Sequence, residues 1–252
     1  GQGVDIPVED FKSTFFFSPR RGALRSGTNS FLPNTSEGTD SIGFYSHGLG
    51  FNVKASGEAS IALGKSTEAI GENSMAAGYG SIAKGSSAIA LGDHCSTDIA
   101  FIQDKAPVAI GHQCTAIGSG VALGDSCYSW GTSFTAGAYS KAVGSGCTAI
   151  GYRSEAYHLG SIALGYYAKA NGYRSASIGA YTINNSSDGL AIGIFNDTII
   201  APQTTFGSLT NETPLFMIGN GITNTNRKNA FVVRYDAQTG INTSTPTSML
   251  TV

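Results

Sequence analysis

The sequence predicts an all-β chain: a narrow parallel β-roll of 14-residue coils, with a cap at its N-terminal end and a β connector at its C-terminal end. Three observations carry that prediction. Glycine falls at 43, 50, 57, 64, 71, 78, 85 and 92, an unbroken spacing of seven, and the spacing resumes through 111, 118, 124, 131, 137, 144, 151, 165, 172, 179 and 193, with His158 and Ser186 standing at two of its positions. A small residue stands three positions after such a glycine (Ser60, Thr67, Ser74, Ser81, Ala88), and alanine follows two positions later (Ala62, Ala69, Ala76, Ala83, Ala90, Ala116, Ala149, Ala163). In the second half, the residues flanking that alanine are apolar in one heptad (Ile162/Leu164, Leu190/Ile192) and mixed in the next (Lys141/Val143, Lys169/Asn171), so the true repeat is 14 residues.

Each element follows from that pattern. Strand side chains alternate between faces, so the alanine and its flanks point in opposite directions. A helix would want apolar spacings of three and four, and each glycine would cost it about 1 kcal/mol. Two short strands per coil are expected instead, each ending in a turn where glycine permits positive φ. Residues 41–198 form the roll, with roughly eleven stacked coils between Ser41 and Gly193. The expected packing puts Ile and Leu inward and lines the opposite face with Ser and Ala. Two one-residue slips, before Gly124 and Gly137, and five extra residues near Asp98–Pro107 mark bulges or a protruding loop.

Residues 1–40 hold Pro7, Pro19, Pro33 and Phe15-Phe16-Phe17 and read as the cap that a solenoid end needs. Residues 199–235 read as a connector of two or three strands, and 236–252, rich in Thr, Ser and Asn, as the start of a stalk. A thin roll buries little and has open sheet edges, and trimerisation about its axis is a natural remedy.

Composition excludes several classes of function. The 252 residues carry 15 Lys+Arg and 17 Asp+Glu, a net charge of −2, which offers no electrostatic footprint for nucleic acid or an anionic membrane. No apolar run approaches the roughly 20 residues of a membrane helix. A chain that begins at Gly1 reads as an excised fragment.

The unit Ser60-Ile61-Ala62-Leu63-Gly64 with Ala69-Ile70-Gly71, repeated as Ser87-Ala88-Ile89-Ala90-Leu91-Gly92 and Ser161-Ile162-Ala163-Leu164-Gly165, resembles the head repeats of trimeric autotransporter adhesins, the YadA-like heads. That resemblance spans about 150 residues. It implies a left-handed roll, a homotrimer and attachment to a receptor. The segments Thr14–Gly27, Pro214–Gly221, Arg227–Val233 and Gly240–Pro246 resemble segments that bracket such rolls in fibres of bacteria and of phage-like tails.

Cys95, Cys114, Cys127 and Cys147 each lie three residues after a repeat glycine and read as small buried fillers, with a disulfide or a zinc site of His94, Cys95, His112 and Cys114 as the rivals. No Cys-x-x-Cys is present, the two histidines differ in repeat phase, and no metal or cofactor is expected. Solenoid acyltransferases have a period of six and need a catalytic histidine, whereas His47, His94, His112 and His158 are scattered among turn residues, so no enzyme is expected. Binding is expected on the outward turns. Two places stand out: the insertion with Phe101, Ile102, Gln103, Asp104 and Lys105, and a tyrosine belt of Tyr152, Tyr166 and Tyr173 joined by Arg153, Tyr157, Tyr167 and Arg174. The expected function is the non-enzymatic receptor-binding head of a homotrimeric fibre. It is extracellular, attached to other fibre or baseplate proteins, and recognises a glycan or protein receptor on a cell surface. Four unpaired cysteines favour a phage-like tail fibre assembled in a reducing cytoplasm over a bacterial cell-surface adhesin; a structural spacer is the third reading.

Overall fold

A computed structural model describes residues 14–28, 42–98, 106–198, 200 and 202–250. The insertion residues Phe101, Ile102, Gln103, Asp104 and Lys105 lie outside the described residues. Among the described residues there is no helix, and hence none long and apolar enough to cross a membrane. The chain forms a parallel β-solenoid of about ten coils with 14-residue spacing. It divides into two compact units, Gly1–Ser126 and Cys127–Val252.

In the first unit, five-residue strands (His47–Phe51, Ile61–Lys65, Met75–Tyr79, Ile89–Asp93, Val108–His112, Val121–Asp125) alternate with shorter ones (Lys54–Ala55, Glu68–Ala69, Ile82–Ala83, Ser96–Asp98, Thr115–Gly118). The two series form separate parallel sheets in which like repeat positions face each other: Ala62 pairs with Ala76 and Gly64 with Gly78, while Glu68 pairs with Ile82. The second unit repeats this with Phe134–Ala138, Thr148–Tyr152, Ile162–Tyr166, Ala176–Ala180 and Leu190–Ile194 in one sheet. The other sheet holds Tyr128–Gly131, Lys141–Ala142, Glu155–Ala156, Lys169–Ala170 and Ile183–Asn184.

The interior corrects the expected packing. Ala62, Ala69, Ala76, Ala83, Ala149, Ala156 and Ala163 are wholly buried, together with Ser60, Thr67, Ser81, Ser154, Ser161 and Cys95. The large aliphatic side chains point outward: Ile61 and Ile110 in the first unit are 36% and 37% exposed, and Ile150, Ile162 and Ile178 in the second are each 39% exposed. A 14-residue coil brings its two strands too close together for Leu or Ile between them, so the methyl and hydroxymethyl groups fill the interior at normal density. Most of the buried hydroxyls find a partner in the backbone, Ser74 and Ser186 being exceptions. Ser60 Oγ donates to Gly57 O at 2.7 Å, and Ser154 Oγ donates to Gly165 O, one coil on, at 2.7 Å.

The glycine spacing has a steric cause. A Cβ on Gly165, whose φ is +134°, would stand 2.1 Å from the carbonyl oxygen of Gly179 in the next coil, and one on Gly57 would stand 2.0 Å from Gly71 O. No side chain fits such an approach. The slips are not bulges. Gly118 and Gly131 end four-residue strands with φ of +78° and +71°, so the turn there is shorter, and Val108 still pairs with Val121 and Gly111 with Gly124. Across the insertion, Ile89 pairs with Val108.

Both ends of the coil series are closed by polar side chains. In the first unit the hairpin of Thr14–Ser18 and Ala23–Thr28 joins His47–Phe51 in parallel. From it, the buried Arg25 donates to Ser46 O at 2.9 Å, Ser46 Oγ at 2.8 Å and Ala55 O at 2.8 Å. Burial, and secondarily the charge of Arg21, pushes the Arg25 guanidinium down to about 10. In the second unit, among the described residues, no short strand follows Leu190–Ile194. Asn196 stands in for one, accepting from Ile183 N at 2.7 Å and donating to Ile183 O at 2.8 Å. Pro214–Asn220 then pairs in parallel with Leu190–Ile194, and Asn229–Arg234 and Thr239–Ile241 follow antiparallel.

Candidate functional site

In the coils, each five-residue strand has a positive-φ glycine as its fourth residue, followed by one exposed or half-exposed position and then by a residue near φ +50°. In the second unit those last residues are Tyr139, Arg153, Tyr167, Tyr181 and Phe195, with φ between 42° and 57°. Their amides clamp each turn to the previous coil: Arg153 N donates to Ala138 O at 2.9 Å, Tyr167 N to Tyr152 O at 2.8 Å and Tyr181 N to Tyr166 O at 2.7 Å. Coils about 4.8 Å apart then hold successive side chains at ring-stacking distance.

The result is a ladder. Tyr167 and Tyr181 stack with centroids 4.9 Å apart and planes at 7°, and Tyr181 and Phe195 stack at 4.5 Å and 11°. The Arg153 guanidinium lies over the rings of Tyr139, at 5.5 Å, and Tyr167, at 5.4 Å, and donates to the Tyr167 hydroxyl at 3.0 Å. Its charge is favoured, chiefly by the field of the Tyr152 hydroxyl. A parallel pair stands beside the ladder, Tyr152 stacked on Tyr166 at 5.2 Å and 15°. Contact with the Tyr181 hydroxyl pushes the Tyr166 hydroxyl up from its ordinary value. At the far end Arg227 lies 5.7 Å over Phe195 and is anchored to Tyr181 O at 2.8 Å and Asn196 O at 3.1 Å.

Of the residues singled out from the sequence, Tyr152, Arg153, Tyr166 and Tyr167 come together here. Tyr173 and Arg174 do not join them. They follow the short strand, on another turn, where Arg174 pairs with Asp188 at 2.6 Å and lies over Tyr173 and Phe206. Tyr157 lies elsewhere too, donating to Glu155 at 2.9 Å; burial, then Glu155, pushes its hydroxyl up to about 12. Sequence reasoning missed Tyr139, Tyr181 and Phe195. The signal was present, since each stands two positions after a repeat glycine and 14 residues from the next member of the ladder.

The corresponding edge of the first unit is ionic. Lys65 lies over Phe51 and Tyr79, His94 meets both Tyr79 and Asp93, and His112 pairs with Asp125 at 2.8 Å and approaches Asp93 at 3.8 Å. The bond to Asp125 holds the His112 imidazole above its usual range, and the same bond, then Ser126, holds Asp125 below its own.

The four cysteines are buried, and none forms a disulfide. Each thiol takes the place of a serine hydroxyl in the interior. Cys95 Sγ donates to Gly111 O, Cys114 Sγ to Gly124 O and Cys127 Sγ to Gly137 O, each at 3.2 Å, and Cys147 Sγ to His158 O at 2.8 Å. Hydrogen bonding with Cys114, then burial, pushes the Cys95 thiol up, away from the reactive thiolate. Among the described residues no group of three His, Cys, Asp or Glu is arranged to hold a metal ion.

The model of the YadA head domain repeat matches residues 69–94, 142–168 and 159–182. No curated protein matches the chain. The matched copies are the coils whose alanine–glycine interior is described above, and over those residues the chain is similar to the YadA head repeat.

Proposed function

We propose that this chain is the receptor-binding head of a homotrimeric, extracellular fibre and that it acts without catalysis. The aromatic and guanidinium ladder of the second unit carries the reading. It is a rigid, outward row of Tyr and Arg, the side chains that bring contact area together with a polar handle. The outward Ile and Leu of the five-residue strands support the trimer, because two further copies would cover an apolar stripe that a single chain leaves half exposed. Within this reading the insertion residues Phe101, Gln103, Asp104 and Lys105 supply a second contact surface.

Four cysteines outside any disulfide favour a phage-like tail fibre joined to other fibre or baseplate proteins, since export as an unfolded chain would carry them through an oxidising compartment. Light scattering on the purified chain, paired with attachment of the isolated head to host cells, tests the reading. A trimer that attaches, and loses attachment when the five extra residues are deleted or the tyrosine belt is removed, is expected. A stable monomer at micromolar concentration, or a trimer with no attachment, contradicts it.

A further inference from the structure

Arg153 differs from the other two arginines near the ladder. Arg174 is neutralised by Asp188 at 2.6 Å. Arg227 uses its guanidinium on the carbonyls of Tyr181 and Asn196 and on Asn224 Oδ1. Arg153 is exposed, and among the described residues no ion pair reaches it. It lies over the rings of Tyr139, Tyr152 and Tyr167, and Nη1 is tied to the Tyr167 hydroxyl at 3.0 Å. Such a guanidinium is ordered before any ligand arrives. Its remaining N–H donors form an edge suited to a planar carboxylate, and little conformational entropy is left to lose on binding.

We infer that this edge binds an acidic glycan, with a sugar carboxylate on Arg153 and neighbouring sugar hydroxyls on the phenols of Tyr139, Tyr152, Tyr166, Tyr167 and Tyr181. The inference rests on the proposed reading of the head as a receptor-binding module and names its ligand class. Three features of the edge select a saccharide. The phenol hydroxyls both donate and accept, as sugar hydroxyls do. The phenols recur at the coil spacing, so they meet an extended, repeating ligand in register. The backbone amides of these turns are already bonded from coil to coil, for example Tyr167 N to Tyr152 O at 2.8 Å, which leaves no strand edge for a peptide to extend.

The test uses the full chain and three probes: a polyuronate, the same polymer with its carboxyl groups reduced to alcohols, and polyglutamate. The polyuronate is expected to bind, with the reduced polymer and polyglutamate much weaker. Arg153→Gln should weaken polyuronate binding by about ten-fold or more, and Arg153→Lys should recover part of it, because an ammonium supplies charge without the fork. Arg174→Gln should leave binding unchanged. Melting curves on each variant exclude a folding cause. Failure of the polyuronate to bind, equal binding of the reduced polymer, or an inert Arg153→Gln overturns the inference. Binding of polyglutamate as tight as polyuronate, and dependent on Arg153, also overturns it, in favour of an acidic protein. Host-cell attachment that survives Arg153→Gln but is lost on Tyr166→Ala removes the acidic glycan while leaving the receptor-binding reading intact.

Discussion

The turn after the five-residue strand has one backbone geometry in both units and two different chemistries. In Gly1–Ser126 it carries Phe51, Lys65, Tyr79, Asp93, His112 and Asp125, whose charges largely answer one another. In Cys127–Val252 it carries the stacked tyrosines, with one guanidinium among them and, among the described residues, no carboxylate paired with it. The coil spacing accommodates either solution, since about 4.8 Å suits both ring stacking and an ion pair between neighbouring coils. The scaffold therefore leaves this edge free to vary, and the contrast lies in what each edge still offers to a partner. At the first edge Asp93 and Asp125 are met by histidines and Lys65 lies over Phe51 and Tyr79, whereas the second edge presents a row of phenol hydroxyls around the Arg153 guanidinium.

If the backbone really is common to both, damage to it should be equal in both. Gly64→Ala and Gly165→Ala each push a Cβ to about 2 Å from the next carbonyl, at 2.2 and 2.1 Å. Each should cost about 3–4 kcal/mol, measured as a matched fall in melting temperature. A large difference between the two would show that the units differ in more than their side chains. The small-residue interior makes the next largest prediction. Ala62→Leu and Ala163→Leu should each cost about 1–3 kcal/mol by overpacking, whereas Ile162→Ser should spare the fold and weaken only association.

Much of this architecture was legible in the sequence, and the failures are instructive. The glycine spacing is readable because a Cβ at Gly57 or Gly165 would meet a carbonyl of the next coil about 2 Å away. The neighbouring positions of Tyr152 and Tyr166 follow from a 14-residue repeat alone. The direction of the interior was misread, because Ile162 and Leu164 look like core by hydrophobicity, while the width of a 14-residue coil, which admits only Ala163 and Ser161, is a three-dimensional quantity. Tyr173 and Arg174 were grouped with the belt because they also follow a repeat glycine, but Gly172 closes the other strand of the coil.

The ladder predicts a smaller, unequal effect on stability. Tyr181→Ala removes a ring held between Tyr167 and Phe195 and should cost about 1–2 kcal/mol, while Ser66→Ala, at the same repeat position in the first unit, should stay within about 0.5 kcal/mol.

The smallest effect is on pH dependence. His112 has its imidazole raised by Asp125, so its contribution is present below the ordinary histidine value and lost as pH rises through the raised one. Asp125 is lowered, so its contribution is present above the ordinary carboxylate value and lost as pH falls through the lowered one. Both groups are exposed, so the effect belongs in an NMR titration rather than a melting curve. The His112 resonance should titrate above pH 6.5 in the native chain and return towards that value in Asp125→Asn. An unchanged midpoint would refute the pair.

The contrast between the edges is tested most directly by one matched pair of substitutions. Tyr79 in the first unit and Tyr166 in the second stand at the same repeat position and are 45% and 46% exposed. Host-cell attachment of Tyr79→Ala and Tyr166→Ala heads should be measured side by side with the native head, with trimer content and melting temperature as controls. The account predicts a loss of about five- to thirty-fold for Tyr166→Ala and none for Tyr79→Ala. Equal losses, or an unaffected Tyr166→Ala head, would contradict it.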